Sequence, residues 1–197
     1  MKTKLKYLLT GLLLLVVSMT FAQGTYLGGT YSMSVPMSGI SNYISSTSFR
    51  GVNFEGLKDI KGNIAVGWVL GWNTFSEKRA NEVYVQDNVT LTGTQYRYKN
   101  LFPLLARGVY QIGGQEGTRP YIGAGLGVTP DITRTVVGVY SFEETAWHFT
   151  MAPEAGIIIP FGYTSFTANV RYVYGFKAGE LGMMSFLSLN LGLLWGE

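Results

Sequence analysis

The stretch that decides the fold is Leu187-Ser188-Leu189-Asn190-Leu191-Gly192-Leu193-Leu194-Trp195. Leucine and tryptophan occupy the odd positions, and serine, asparagine and glycine occupy positions 188, 190 and 192. A period of two is that of a β-strand with one apolar face. Weaker versions of this alternation occur at 27–35, 51–55, 64–73, 104–112, 122–128, 147–159 and 166–175. The sequence therefore predicts eight strands.

The segments between the predicted strands alternate in length. Short turns are expected at 58–62, 113–118 and 160–164, and longer polar segments at 36–49, 74–96, 129–145 and 177–184. Short turns at one end and long loops at the other are typical of bacterial outer-membrane barrels with an even number of strands. The predicted fold is an all-β, eight-stranded, antiparallel up-and-down transmembrane β-barrel with both ends of the mature chain in the periplasm.

The amino-terminal residues have the layout of a secretory signal peptide. Three lysines precede the apolar run from Leu8 to Val17, and small residues lead to Ala22. This run is shorter than the roughly 20 residues of a membrane-spanning helix. We expect residues 1–22 to be removed and residues 23–197 to form the barrel.

Charge and composition narrow the classes of function. The chain has 15 basic and 12 acidic residues, and the excess lies in the three leader lysines, so the mature chain is formally neutral. A neutral chain does not favour nucleic acid as a partner. Cysteine is absent and there is one histidine, so no metal-ligand spacing occurs and no cofactor is expected.

The polar face of the strands distinguishes a membrane barrel from a soluble carrier of the lipocalin type. A soluble barrel presents charge to water, whereas this polar face is mostly Gly, Ser, Thr and Asn. Aromatic residues near the strand ends suggest girdles at the two lipid interfaces, and we also place Tyr26 there. The main candidates are Trp68, Trp72, Trp147, Tyr172, Tyr174 and Trp195.

Four motifs resemble those of the outer-membrane protein A/X superfamily, in particular the stand-alone barrels of Bacteroidetes-type bacteria. They are the stretch 119–127, Trp147-His148-Phe149 followed by the stretch 152–156, Val170-Arg171-Tyr172, and the alternating final strand. The resemblance implies a monomeric protein of the bacterial outer membrane whose partners are the membrane lipids. It also allows a gate in which charged groups of the lumen exchange partners.

Four charged residues fall on the polar face in mid-strand: Glu55, Arg107, Glu154 and Arg171. Glu154 and Arg171 are equally far from the turn between Gly162 and Tyr163, so antiparallel pairing sets them opposite each other. Buried charges need partners, so we predict a lumen ion-pair network. Its role is either a plug, since eight strands enclose little space, or the gate of a narrow pore for small solutes or ions.

Two long loops contain β-branched runs, which predict β-ribbons that project beyond the membrane. Their edges could add a strand from an extracellular ligand or surface partner. The preferred function is thus a structural or surface-interaction barrel, and the pore is the alternative. A third hypothesis is an enzyme at the rim, in which inward-pointing His148 would act with Ser141, Glu143 or Glu144, but these residues have no triad spacing and we expect no catalysis.

Overall fold

The computed structural model describes residues 24–86, 89–113 and 117–196. The leader, the predicted turn residues Asp87 and Asn88, and part of the predicted turn at 113–118 lie outside these residues. Within these residues there are nine strands, and a 3-10 turn, Gly179–Leu181, precedes the last one. The strands are β1 (Thr25–Pro36), β2 (Ser48–Lys61), β3 (Ile64–Gln86), β4 (Val89–Leu101), β5 (Leu104–Gln111), β6 (Arg119–Val137), β7 (Tyr140–Phe161), β8 (Thr164–Gly175) and β9 (Met184–Gly196).

The nine strands close into a ring of eight antiparallel positions, as the sequence predicts. β4 and β5 share one position, because both pair with β3 on one side and with β6 on the other. The strand is interrupted between them at Phe102-Pro103, because a proline has no amide hydrogen to donate to a neighbouring strand. β9 pairs with β1 over the full length from Phe186 to Gly196 and completes the ring. Within the described residues, no helix is long and apolar enough to cross a membrane.

Side chains alternate between the inside and the outside of the ring. On β9, Leu187, Leu189 and Leu193 are exposed, whereas Ser188 and Asn190 are buried, as the period of two predicts. The exterior of the ring is a band of exposed apolar residues. Its larger members include Tyr31, Val52, Phe54, Val66, Leu70, Trp72, Ile122, Leu126, Trp147, Phe149, Val170 and Trp195.

The structure places two of the aromatic residues differently from the expectation. Tyr26 points inward, packs on a buried apolar cluster and lies against Arg119. Trp68 is on the outside, but it pairs with Gly56 next to the middle of the barrel, not at its border. Trp72 is four positions further along the same strand and takes the place near the border. Tyr172 and Tyr174 are half-buried on the outside of β8.

The strands of one half of the ring continue beyond it. Pairing of β2 with β3 ends at Gly51 and Asn73, but β3 runs on to Gln86 and pairs with β4. β6 and β7 pair up to Val137 and Tyr140, and β4 also pairs with β6 from Gln95 to Leu101. The predicted ribbons are therefore confirmed, and they join into one four-stranded sheet. We call this extension the ribbon sheet; it comprises residues 74–86 of β3, all of β4, residues 130–137 of β6 and residues 140–148 of β7. The end of the barrel from which it extends is the ribbon end, and the opposite end is the turn end.

The β1–β2 loop, residues 37–47, corresponds to the longer polar segment that the sequence predicts at 36–49, but it also contains buried apolar residues. One helical turn, with bonds from the amides of Tyr43 and Ile44 to the carbonyl of Ile40, presents both isoleucines to the barrel interior. Ile40 and Ile44 are fully buried and pack with Phe75 and Phe186. The loop therefore packs into the ribbon end of the barrel.

Candidate functional site

The four charged residues predicted on the lumen face meet inside the barrel. Glu55, Arg107, Glu154 and Arg171 are all buried, and together we call them the ion-pair quartet. The register of β7 and β8 pairs Glu154 with Arg171, as their equal distance from the turn predicts. The other two residues come from β2 and β5, so the quartet joins strands that are far apart in the chain.

Each arginine of the quartet contacts both glutamates. Arg171 Nε donates to Glu154 Oε2 over 2.7 Å, and its Nη2 lies 3.1 Å from Glu55 Oε1. Arg107 Nη1 lies 3.0 Å from Glu55 Oε2 and 3.0 Å from Glu154 Oε1. Two positive and two negative charges thus form a neutral cycle across the barrel. Such a closed cycle pairs charges that would be costly to bury singly.

Glycines make room for the long arginine side chain of Arg107. Its register partners are Gly67 on β3 and Gly125 on β6, so no neighbouring side chain competes for the space. Gly123 is the partner of Glu154, and a Cβ at Gly123 would come within 2.6 Å of Val109 Cγ1. The Gly123-Ala124-Gly125 pattern therefore belongs to the wall of the lumen around the quartet.

Apolar layers lie on both sides of the quartet along the barrel axis. On β5, Leu105 and Val109 flank Arg107, and they belong to two different buried clusters. The cluster at the turn end contains Leu57, Ala65, Val109, Tyr121, Ile158 and Leu194. The cluster at the ribbon end contains Ile40, Ile44, Val69, Phe75, Leu101, Leu105, Ala152, Val173, Met184 and Phe186. The barrel interior is thus packed above and below the charges.

Asparagine amides extend the polar layer beside the quartet. Asn53 donates to Thr30 over 3.1 Å and to Asn190 over 3.0 Å. Asn190 donates in turn to Asn169 over 2.7 Å. Their small polar side chains on the inward face are visible in the sequence, but the distances that join them depend on the closure of β9 on β1.

A second buried charge cluster lies near the ribbon end, and sequence reasoning found only one of its members. Lys99 Nζ lies 2.7 Å from Asp131 Oδ2, and Thr133 donates to Asp131 Oδ1 over 2.9 Å. His148 Nε2 lies 3.3 Å from Asp131 Oδ2, and its Nδ1 is 2.8 Å from the carbonyl oxygen of Phe176. His148 points inward near the end of its ring section, as predicted. Asp131 was missed because it lies in the segment 129–145, which was interpreted as a loop, and Lys99 because it lies between the segment 74–96 and the predicted strand at 104–112.

These contacts surround His148 with groups of the barrel itself. A general base needs a nitrogen within reach of a nucleophile. Both ring nitrogens of His148 face groups of the barrel itself, and the ring is fully buried. Ser141, one of the residues considered with it, instead accepts a hydrogen bond from Arg134. Within residues 24–86, 89–113 and 117–196, no group of three acidic, histidine or cysteine side chains could hold a metal ion.

A third charged group closes the turn end. Arg119 lies 3.7 Å from Asp59 and stacks over the ring of Tyr26 at 5.2 Å. Gln111 donates to the same aspartate over 2.8 Å. The three clusters are each balanced in charge or nearly so, and each ties together strands from different parts of the ring.

Comparison with known proteins shows the fold. No protein-family model matches the chain, and no curated protein matches its sequence. Among solved structures, Neisserial surface protein A superposes with a TM-score of 0.58 at 14% identity, covering 89% of this chain and 98% of that one. Ail, the attachment invasion locus protein of Yersinia pestis, superposes with a TM-score of 0.51 at 13% identity, covering 88% of this chain and 99% of that one. The chain thus has the fold of the small eight-stranded outer-membrane β-barrels.

Proposed function

We propose that the chain is an integral β-barrel of a bacterial outer membrane, with a closed interior, whose ribbon sheet binds partners outside the cell. The observation that carries the proposal is the ribbon sheet, which continues four strands of the ring beyond the apolar band. The names of the two structural neighbours describe a surface protein and an attachment protein, which is the same class of role.

The exterior of the ring supports insertion into lipid. Leu70, Ile122 and Leu126 expose 46%, 55% and 50% of their surface, and they belong to a continuous apolar band. An exposed apolar band around a ring is rare on a soluble monomer, whereas a barrel that faces lipid requires one. Export and removal of residues 1–22 are part of the same proposal.

The packed interior supports a plug over a pore. A solute would have to displace two apolar layers and separate four paired charges. We expect no conductance in planar bilayers for the wild-type barrel, for Arg171→Ala or for Glu154→Gln, because the apolar layers remain in place. Channel openings in the two variants but not in the wild type would contradict the plug and favour a gate at the quartet.

The two edges of the ribbon sheet support a role in binding by strand addition. Beyond Asn73, β3 has no strand on its β2 side within the described residues, and beyond Thr150, β7 has none on its β8 side. The carbonyl of Phe149 accepts the last bond on that side, from the amide of Phe176. Alternate residues from Phe149 back to Ser141 therefore direct their backbone groups to this edge. The Gly179–Leu181 turn contacts β7, and an extended segment can pair with the part of the edge that the turn does not cover.

A substitution on this edge gives a matched test. Proline at Thr145 removes one edge amide and is tolerated where that amide faces away from the sheet, whereas Thr145→Val keeps the amide. Bacteria that display the wild-type chain are expected to adhere to an epithelial monolayer. Adhesion should fall for Thr145→Pro and for a barrel in which a two-residue turn replaces residues 80–94, but not for Thr145→Val. Unchanged adhesion of the shortened barrel, with equal surface labelling, would overturn the binding role.

The same contacts support a non-catalytic role. His148 is held between Asp131 and the Phe176 carbonyl, and its burial separates it from the hydroxyl of Ser141, which is bound to Arg134. His148→Ala should therefore not change the acyltransferase or hydrolase activity measured in membranes that contain the barrel. A loss of activity on that substitution would favour the rim enzyme instead.

A further inference from the structure

A groove runs along the outside of the barrel where the ring meets the ribbon sheet. It has a volume of about 420 Å³ and lies across β1, β2, β3 and the end of β4. Its walls are Tyr31, Val52 and Trp72 toward the ring, and Arg50, Thr74 and Asn100 toward the ribbon sheet. The groove is therefore apolar at one end and polar at the other.

A second hollow of about 210 Å³ continues from the polar end of the groove along the ribbon sheet. Arg50 lines both, and Lys78, Tyr96 and Tyr98 line the second. Lys78 Nζ lies 5.5 Å from the centre of the Tyr96 ring. The acidic member of this hollow, Glu77, already binds the backbone amide and hydroxyl of Ser45 and the guanidinium of Arg79. Among the described side chains, Arg50 and Lys78 thus face the hollow without a paired carboxylate.

A β-bulge turns Arg50 to the outside. The register between β1 and β2 shifts between Ser32 and Ser34, so Phe49 and Arg50 are both exposed in succession. Regular alternation would send one of them into the barrel, and bulges commonly re-aim a side chain in this way. The Tyr31 hydroxyl donates to the Phe49 carbonyl and fixes the bulge from the neighbouring strand.

The position of the groove matches the boundary between acyl chains and headgroups. Val52 and Trp72 are register partners at the end of the apolar band, and pairing of their strands ends one residue later at Gly51 and Asn73. Exposed aromatic residues at such a level mark the membrane interface. Cations just beyond the interface attract anionic lipid headgroups. The acyl chain of a lipid would therefore lie against the apolar part of the site, and its anionic headgroup would lie against the cationic part.

We propose that this groove binds a phosphorylated lipid of the outer leaflet, with an acyl chain against Val52 and Trp72 and a phosphate between Arg50 and Lys78. The inference rests on the proposed insertion of the barrel into the outer membrane. Asn100 also lines the polar end of the groove, where its Oδ1 accepts a hydrogen bond from Thr74 over 2.8 Å.

The test uses the full barrel in phosphatidylcholine nanodiscs to which lipopolysaccharide is added, with retained lipid measured by mass spectrometry. Two charge-assisted contacts are lost in Arg50→Gln/Lys78→Gln, so retention should fall about tenfold or more. Val52→Trp fills the apolar groove, keeps both cations and should also reduce retention. The matched control is Lys61→Gln/Lys177→Gln, which removes two exposed cations that line neither the groove nor the second hollow and should retain lipid as the wild type does.

Three outcomes would overturn the inference. They are equal retention of enzymatically dephosphorylated lipopolysaccharide, equal loss in the control variant, and displacement of the lipid by excess inorganic phosphate, which would mean that the acyl chain does not contribute. Heat-modified migration of the same samples reports insertion separately. A barrel that inserts but does not retain the lipid contradicts only the lipid site, whereas a barrel that does not insert contradicts the proposed function.

Discussion

Arg171 and Glu154 are opposite each other across β7 and β8, with Nε and Oε2 2.7 Å apart, and the same guanidinium also reaches Glu55 on the other side of the barrel. One arginine thus serves two carboxylates. Because both carboxylates are buried, its removal leaves more negative than positive charge inside the ring.

Removal of that arginine should be more damaging than removal of the pair. We expect Arg171→Met to lower the free energy of unfolding by about 3–5 kcal/mol, since it leaves a buried carboxylate with only a shared partner. The double variant Glu154→Gln/Arg171→Met keeps Glu55 and Arg107 as a neutral pair and should cost less than the single variant. Reversible urea unfolding in lipid vesicles measures both. Strict additivity of the two substitutions would mean that the quartet is not coupled.

The β1–β2 loop packs into the ribbon end of the barrel. Ile44 is fully buried against residues of the ring, so Ile44→Ala should cost about 2–5 kcal/mol. Met37 lies in the same loop but is exposed, and Met37→Ala should change stability by no more than about 0.5 kcal/mol. Urea unfolding of the two variants under the same conditions checks the prediction. Equal costs would show that the loop does not pack into the ribbon end in the membrane.

The lipid-facing surface is tested by introducing an arginine at two levels along the barrel axis. Leu189 is on the outside of β9 within the apolar band, so Leu189→Arg should cost about 2–4 kcal/mol. Val139 is 95% exposed at the tip of the ribbon sheet, and Val139→Arg should be nearly neutral. The Leu189→Arg cost should disappear in a detergent with a short hydrophobic region but not in bilayers of normal thickness. Similar costs at both positions would contradict the assignment of the band.

Attachment of the β1–β2 loop to the ribbon sheet should depend on pH through Glu77. Burial by itself would raise the pKa of this carboxyl, but the Ser45 amide, the Arg79 guanidinium and the Ser45 hydroxyl together lower it below its ordinary value of 4.5. A lowered pKa in the folded state stabilises the contact above about pH 4.5, and this stabilisation is lost as the pH falls through the folded-state value. We therefore expect protection of the Ser45 amide against hydrogen exchange, corrected for the intrinsic rate, to be constant near neutrality and to fall in acid.

The glutamine variant at the same position is the control for that titration. Glu77→Gln keeps an acceptor for Ser45 but cannot titrate, so protection should be weaker at neutral pH and independent of pH. Glu143→Gln, on an exposed position of β7, should leave the wild-type profile unchanged. An acid-dependent loss that persists in Glu77→Gln would assign the titration to another group.

The alternation of apolar and polar residues predicted the strands, the ribbons and the inward direction of the quartet side chains. The equal distance of Glu154 and Arg171 from the turn predicted that they pair. Leu189 and Asn190 differ in facing for a reason that is local in sequence. The quartet residues could be named for the same reason, since a charge in mid-strand on a polar face has only the lumen to enter.

The remaining parts of the interior depend on contacts between distant segments. Ile40 and Ile44 lie in a segment with no strand period, and their burial becomes evident only when the loop meets Phe75 and Phe186. Asp131 follows a proline, in a segment that composition assigns to a loop, although it lies in a strand and pairs with Leu101. From the sequence, Tyr26 was interpreted as an aromatic residue of the lipid interface, but in the structure the guanidinium of Arg119 stacks on its ring.

The distribution of the quartet over the chain has a consequence for assembly. Glu154 and Arg171 lie on one hairpin, and Glu55 and Arg107 lie on strands separated only by β3, where Gly67 leaves the path between them clear. Each half of the chain can therefore neutralise its own charges while the barrel is still an open sheet. Ring closure then exchanges two local pairs for one shared cycle, so no intermediate needs to carry an unpaired charge into the hydrocarbon.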